Sequence, residues 1–246
     1  MSSGENNIDA FRELFRSSGD WFTGEDDDPY SIVFVVRDRV NTGSAPIIPP
    51  EEDVISAAIA AMVVLFSHVE EPDIRSRVEL WCSARIRKIV KRAHGSKWEK
   101  AYALIGADIP GEVAECGDAA VACFVPMKAS EQPPEIRKLQ VSGLDLARDL
   151  DRVDQPLPYL SIVLEQDLDM SSGKAIAQAC HAAQLAFRYL EDAGDQTWKA
   201  SGFKTSVSRG DVKSAVEEHA CPVIVRDAGF TEIPAGSVTA AAYLVC

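Results

Sequence analysis

The chain has no CxxC pair and none of the Cys/His spacings that hold a structural metal, although six cysteines are present, at 82, 116, 123, 180, 221 and 246. Nor does the Met1 end carry a basic-then-apolar export signal. The cysteines therefore read as reduced core thiols of a cytoplasmic protein, with neither a metal nor a cofactor expected. Long apolar runs are missing too. The longest, "VISAAIAAMVVLF" from Val54 to Phe66, falls short of the roughly 20 residues a bilayer demands, so no membrane is expected as partner. Positive charge is scarce: 25 Lys plus Arg stand against 38 Asp plus Glu, a net of −13. That balance argues against a broad basic footprint on nucleic-acid phosphates. What remains, 246 residues at 46% hydrophobic and 26% charged, is a globular composition long enough for one large domain or two small ones.

Residues 1–28 hold one amphipathic stretch, "IDAFRELF", and an acidic leash, "GEDDDP". From residue 29 to 127 the pattern runs strand ("YSIVFVV"), Pro-rich loop, apolar helix (54 to 68), "RKIVKRA", "AYALIGADI", and a last strand "AAVACFVP". A Pro-punctuated linker with one or two helices fills 128–157. The same order restarts over 158–246: strand "YLSIVLEQ", helix 173 to 190, strand "FKTSVSR", helix 211 to 219, strands "CPVIVRD" and "SVTAAAYLV". The alternation is that of a layered α/β protein.

The restart extends to individual residues, as a tandem duplication requires. "PYSIV" at Pro29 answers "PYLSIV" at Pro158, and "AAMVVLF" ending at Phe66 answers "AAQLAF" ending at Phe187. Trp81, Val90 and Arg92 match Trp198, Val207 and Arg209; Asp108, Gly117 and Phe124 match Asp227, Gly236 and Tyr243. The first half lacks polar groups that the second has. Gly43-Ser44 stands for Gly173-Lys174, and Ala60 for His181.

Two stretches of the second half carry chemistry. In "SSGKAIAQACHAAQLAF", at about 100° per residue, Lys174, Gln178 and His181 fall within an arc of about 60°. Ile176, Cys180, Ala183 and Phe187 form an apolar stripe opposite them. The three polar residues are either a solvated face or an anion-holding track. Gly173-Lys174 at a helix N-terminus, where the dipole disfavours an unpartnered cation, points to the second. The other stretch is "VIVRDAGFTEIPAGSVT": a short strand delivers Asp227 into a loop with Thr231, Ser237 and Thr239 following, which makes Asp227 a turn cap or a site residue.

"DLDMSSGKAIAQACHAA", "SGFKTSV" and "VRDAGFTEIPAGSVT", in this order, resemble the type-2 peptidyl-tRNA hydrolases, the archaeal and eukaryotic class, over nearly all of residues 158 to 246. The first half is similar to a degenerate version of the same domain. The resemblance implies tandem three-layer α/β/α sandwiches, each around a mixed sheet of about four strands. It also implies hydrolysis of the ester joining a peptide to the tRNA 3′ ribose. The residues carried over to activity are Lys174, Asp227 and Thr231, with His181 beside them; Gly173, Gln178, Lys204 and Ser237 are expected to bind substrate. Two departures remove cations from the family pattern, Phe230 in the Asp-Ala-Gly loop and Ser172 before the Gly-Lys. Residues 158–246 hold 7 basic against 11 acidic residues, so Lys174, Lys204 and Arg209 are left as the phosphate contacts. The expected partner is the 3′ end of peptidyl-tRNA, with an internal pseudo-dimer of the two repeats or a homodimer as the assembly. Competing readings are a scaffold built from a doubled hydrolase-like domain, which the acidic balance favours, and a hydrolase of a different small ester.

Overall fold

The unbroken apolar runs "SIVFVV" and "LSIVL" are those of strands buried on both faces, and each becomes an inner strand of its own sheet. A computed structural model describes residues 27–43, 45–83, 86–148, 155–219, 223–227 and 232–246. The "IDAFRELF" stretch, Ser44, part of the linker, Cys221, Phe230 and Thr231 lie outside the described residues. The first sheet contains β1 (Ser31–Arg37), β2 (Lys88–Ala93), β3 (Gly111–Cys116) and β4 (Ala119–Met127) in the order β2-β1-β4-β3. The second contains β5 (Tyr159–Glu165), β6 (Thr205–Gly210), β7 (Val223–Arg226) and β8 (Val238–Val245) in the order β6-β5-β8-β7. In both, the first strand pairs parallel with the second and antiparallel with the fourth.

The registers correspond as well as the orders. Phe34 faces Val90 as Ile162 faces Val207, Val33 faces Phe124 as Ser161 faces Tyr243, and Ala114 faces Val121 as Val225 faces Ala240. The indole N–H of Trp81 donates to the Arg87 carbonyl at 2.9 Å, and that of Trp198 to the Lys204 carbonyl at 2.8 Å. Pairing also corrects two of the sequence matches. Asp108 lies in the turn before β3, at the far end of the sheet from the position of Asp227, and Cys116 occupies the corresponding register. Likewise Gly43 lies in the loop ahead of α1 (Glu51–Ser67). Because α1 opens at Glu51 as α5 (Ser172–Ala193) opens at Ser172, Glu52-Asp53 falls where Gly173-Lys174 does.

Helices α1 and α5 lie together between the sheets. Each covers its own sheet and reaches the edge strand of the other, α1 touching β6 and α5 touching β2. A single apolar core results: Ile32, Phe34 and Met62 of the first half and Ile162, Ile176 and Ala183 of the second belong to it, together with Trp81 of α2 (Pro72–Cys82). Outer faces are covered separately, the first by α3 (Ser96–Tyr102) through Trp98 and by α4 (Pro134–Arg137), the second by α7 (Val212–His219) through Val212. A short α6 (Thr197–Ala200) carries Trp198. Only α4 forms among the described linker residues; beyond it, Leu144 and Leu146 enter the shared core. There the Glu51 N–H donates to the Ala147 carbonyl at 2.8 Å and the Leu146 N–H to Ser172 Oγ at 3.2 Å, so the linker spans the N-termini of both inner helices. Among the described residues no single helix is long and apolar enough to cross a membrane.

Candidate active site

The N-terminus of α5 stands at the carboxyl ends of β5 and β7. It is set by a cap: Ser171 Oγ accepts from the Lys174 N–H at 3.2 Å and donates to Glu232 Oε1 at 2.7 Å, while Glu232 Oε2 accepts from the Ser171 N–H at 3.0 Å. At the other end the helix stops at Gly194, in the left-handed conformation at φ 71° that glycine adopts without penalty. Asp227 follows the last residue of β7. Its N–H donates to the Ser237 carbonyl at 2.9 Å and its own carbonyl accepts from the Gly236 N–H at 2.7 Å, which fixes the loop base.

These supports bring Lys174 and Asp227 together as a buried ion pair, with side chains 11% and 6% exposed. Gln178 Nε2 donates to the same Asp227 oxygen at 2.9 Å, and Thr239 Oγ1 donates to Gln178 Oε1 at 2.7 Å. Thr239 thereby determines which way the Gln178 amide points. A chain of hydrogen bonds runs from β8 through α5 to the loop after β7 and ends on a carboxylate holding an ammonium. The polar helix face is not a solvated one: Lys174 and Gln178 are directed at Asp227, and His181 at the first half. Thr239 itself escapes selection from sequence: one hydroxyl among several in a loop, its strand position emerges only from the pairing of β7 with β8.

The other candidates divide. Gly173 sits in the first turn beside Ser171, and its neighbour across the halves is Val90 of β2. The Ser237 backbone carries Asp227. Lys204 is not brought to the cluster, because it precedes β6, which runs parallel to β5, and so sits at the opposite end of the sheet. Arg209 is at the correct end but pairs with Glu51 of α1 at 2.7 Å. His181 turns its Nδ1 to the first half, 2.9 Å from the Lys88 ammonium. Burial, and then the positive charges of Lys88 and Lys174, hold its pKa well below the usual histidine range, so the ring is neutral near pH 7 and is a poor proton acceptor. Beside the helix start, a cleft of about 560 Å³ opens between the halves, lined by Asp145, Arg148, Asp169, Ser171 and Glu51.

Comparison with known proteins picks out the second half of the chain. Residues 159–244 match the family model "Peptidyl-tRNA hydrolase PTH2". A peptidyl-tRNA hydrolase of Methanothermobacter thermautotrophicus is 40% identical over 86 residues, covering 32% of this chain and 77% of the relative. Those of Aeropyrum pernix and Haloquadratum walsbyi are 36% and 32% identical, over 33% and 32% of this chain and 78% of each relative. The chain belongs to the PTH2 peptidyl-tRNA hydrolase family.

Within this PTH2 protein the matched segment contains every member of the Lys174–Asp227–Gln178–Thr239 chain. In the first half, the corresponding positions hold Asp53, Cys116, Ala57 and Ala120. Cys116 Sγ donates to Asp53 Oδ1 at 3.5 Å, a thiol and a carboxylate where the PTH2 segment has a carboxylate and an ammonium. Gly117 follows at φ 55°, where a Cβ would stand 2.8 Å from Asp53 Oδ2.

Proposed function

We propose that this protein hydrolyses the ester bond of peptidyl-tRNA, freeing the peptide and a reusable tRNA. The observation that carries the reading is the buried Lys174–Asp227 pair locked by Gln178 and Thr239, within the segment that matches the PTH2 model. Water adds to the ester carbonyl carbon and gives its proton to Asp227; the C–O bond to the 3′ ribose then breaks, and the ribose oxygen takes a proton. Lys174, aimed by Asp227, stabilises the oxyanion that forms on the carbonyl. Thr231 is retained with Asp227 as a residue that orients the water, as the family resemblance implies. The neighbouring cleft is bordered by Asp145 and Asp169, and its Arg148 and the adjoining Arg209 both face Glu51, so it is a better place for the peptide than for the tRNA backbone. A cytoplasmic location goes with the same reading.

The first half, in this reading, is a copy of the same domain that has lost its chemistry, and the two form an internal pseudo-dimer. Equal strand order, equal register and the shared α1–α5 layer support this. The test is hydrolysis of a labelled N-blocked aminoacyl-tRNA against a free peptide ester of the same acyl group. A strong preference for the tRNA ester, lost in Lys174→Met and Asp227→Asn, is expected. Equal rates on both esters would assign a different small-ester substrate, and binding without hydrolysis would make the protein a scaffold.

A further inference from the structure

Although the first half lacks the Lys174–Asp227 chain, it extends a cation into the second half's helix. Lys88 opens edge strand β2. Its ammonium lies 2.9 Å from His181 Nδ1, donates to Gln184 Oε1, and sits 5.1 Å from the centre of the Trp81 ring. The two crossings of the shared layer are not alike. Where α5 meets β2, the residues are Lys88, His181 and Gln184; at the corresponding positions of α1 and β6 stand Thr205, Ala60 and Val63. At these three positions the α1–β6 crossing has small or apolar side chains, and its charged group, Arg209, has the Glu51 carboxylate as counter-ion. At the other crossing the Lys88 ammonium meets neutral acceptors instead, the His181 ring and the Gln184 amide, and taking it out of water is costly unless such hydrogen bonds are made. His181 and Gln184, which hold the Lys88 amine, lie on the helix that carries Lys174 and Gln178.

Resting on the hydrolase reading above, we propose that Lys88 is a positioning residue for the second half's site: by donating to Nδ1 it fixes His181 as the neutral Nε2–H tautomer, three residues beyond Gln178, where that N–H holds an oxygen of the substrate's ribose or peptide. The first half then persists because the site depends on its amine. Surroundings favour a neutral ring. Cys82, Cys123 and Cys180 face Lys88 with thiols pushed up by burial, two of them to about 12, and so add no negative charge; Lys174 adds a second positive charge near His181. Burial also brings Lys88 down to about 7.

The test uses the full chain, with ¹⁵N-histidine NMR for the tautomer and titration of His181, and kcat/KM against pH on N-blocked aminoacyl-tRNA. In the wild type His181 should be a single Nε2–H tautomer that titrates well below the usual histidine range. Lys88→Met should give a tautomer mixture, raise the His181 pKa, lower kcat/KM about tenfold and move the acid limb of the profile upward. Lys88→Arg, which keeps a donor, should recover the tautomer and most of the activity, while Thr205→Val at the other crossing should change neither. If Lys88→Met does not fold, Gln184→Met, which loosens the amine's second anchor, gives the same readouts at smaller amplitude. An unchanged tautomer in these variants overturns the proposal, as does a changed tautomer with an unchanged activity profile. Wild-type protein that does not hydrolyse the tRNA ester marks the failure of the hydrolase reading instead.

Discussion

Lys174→Met removes one half of an ion pair whose side chains are 11% and 6% exposed. Breaking a buried pair from one side costs about 3–5 kcal/mol, because a charge stays buried without its partner. The low end, about 3 kcal/mol, applies here, since Asp227 keeps the Gln178 amide at 2.9 Å. Asp227→Asn strands the ammonium in turn and should cost about 2–3 kcal/mol. In the double variant no uncompensated charge remains and the introduced asparagine amide can still accept from Gln178, so its loss should fall short of the sum by about 2 kcal/mol. Turnover should behave differently: each single variant and the double should be at least about tenfold slower, since the oxyanion loses its donor or that donor's orienting partner. Urea unfolding and single-turnover ester hydrolysis on the same four proteins separate the two effects. Additive stability losses would refute the buried pairing. Recovery of turnover in the double variant would refute the catalytic assignment, leaving the pair a structural one.

Thr239→Val deprives the buried Gln178 carbonyl of its donor, which should cost about 1–3 kcal/mol in denaturant unfolding and slow turnover several-fold as the amide loses its fixed orientation. Cys116→Ser and Asp108→Asn in the first half should leave turnover within about twofold of wild type; a loss matching that of Asp227→Asn would show that both halves contribute. With Lys174 tied to Asp227, Arg209 to Glu51, and Lys204 at the far end of the sheet, few cations are left for phosphates. Filter binding of tRNA across salt should therefore give a log-log slope no steeper than about −2. Thiol labelling of the native protein at pH 8 should modify exposed Cys246 well before Cys82 and Cys180, whose thiols stay protonated until about pH 12, and before Cys123, also pushed up by burial. Equal labelling rates would contradict the closed core.

The second half was legible in the sequence nearly element by element, since its strands are short apolar runs bounded by turns and its one long helix has a clean apolar stripe. The first half was less so. Pro72–Cys82 and Gly111–Cys116 mix charge into their patterns, and both are held by contacts across the sheet and core rather than by local preference. Lys174, Gln178 and Asp227 could be selected because a polar helix face and a carboxylate at a strand end are local signals. Thr239 could not, as its neighbour Gln178 is 61 positions away. In sequence Asp108 aligns with Asp227 because both are aspartates, whereas strand pairing puts Cys116 there. The Lys88 partner of His181 and the end of the sheet at which Lys204 stands were hidden for the same physical reason. Sequence spacing gives the face of a helix or the strand of a sheet, but not which neighbour covers that face or which end of the strand borders the site.

The shared layer of α1 and α5 bears on how the chain is made. Synthesis completes β4 at Met127 well before α5 ends at Ala193. During that interval α1, buried along most of its length in the finished protein, has one apolar side covered by its own sheet and the other exposed to water. The first half therefore waits as an incomplete body with a sticky flank, and the final burial step is the docking of a helix translated later. A ribosome that pauses between residues 128 and 171 would prolong this exposure, and a chain cut there should need a chaperone to stay dispersed.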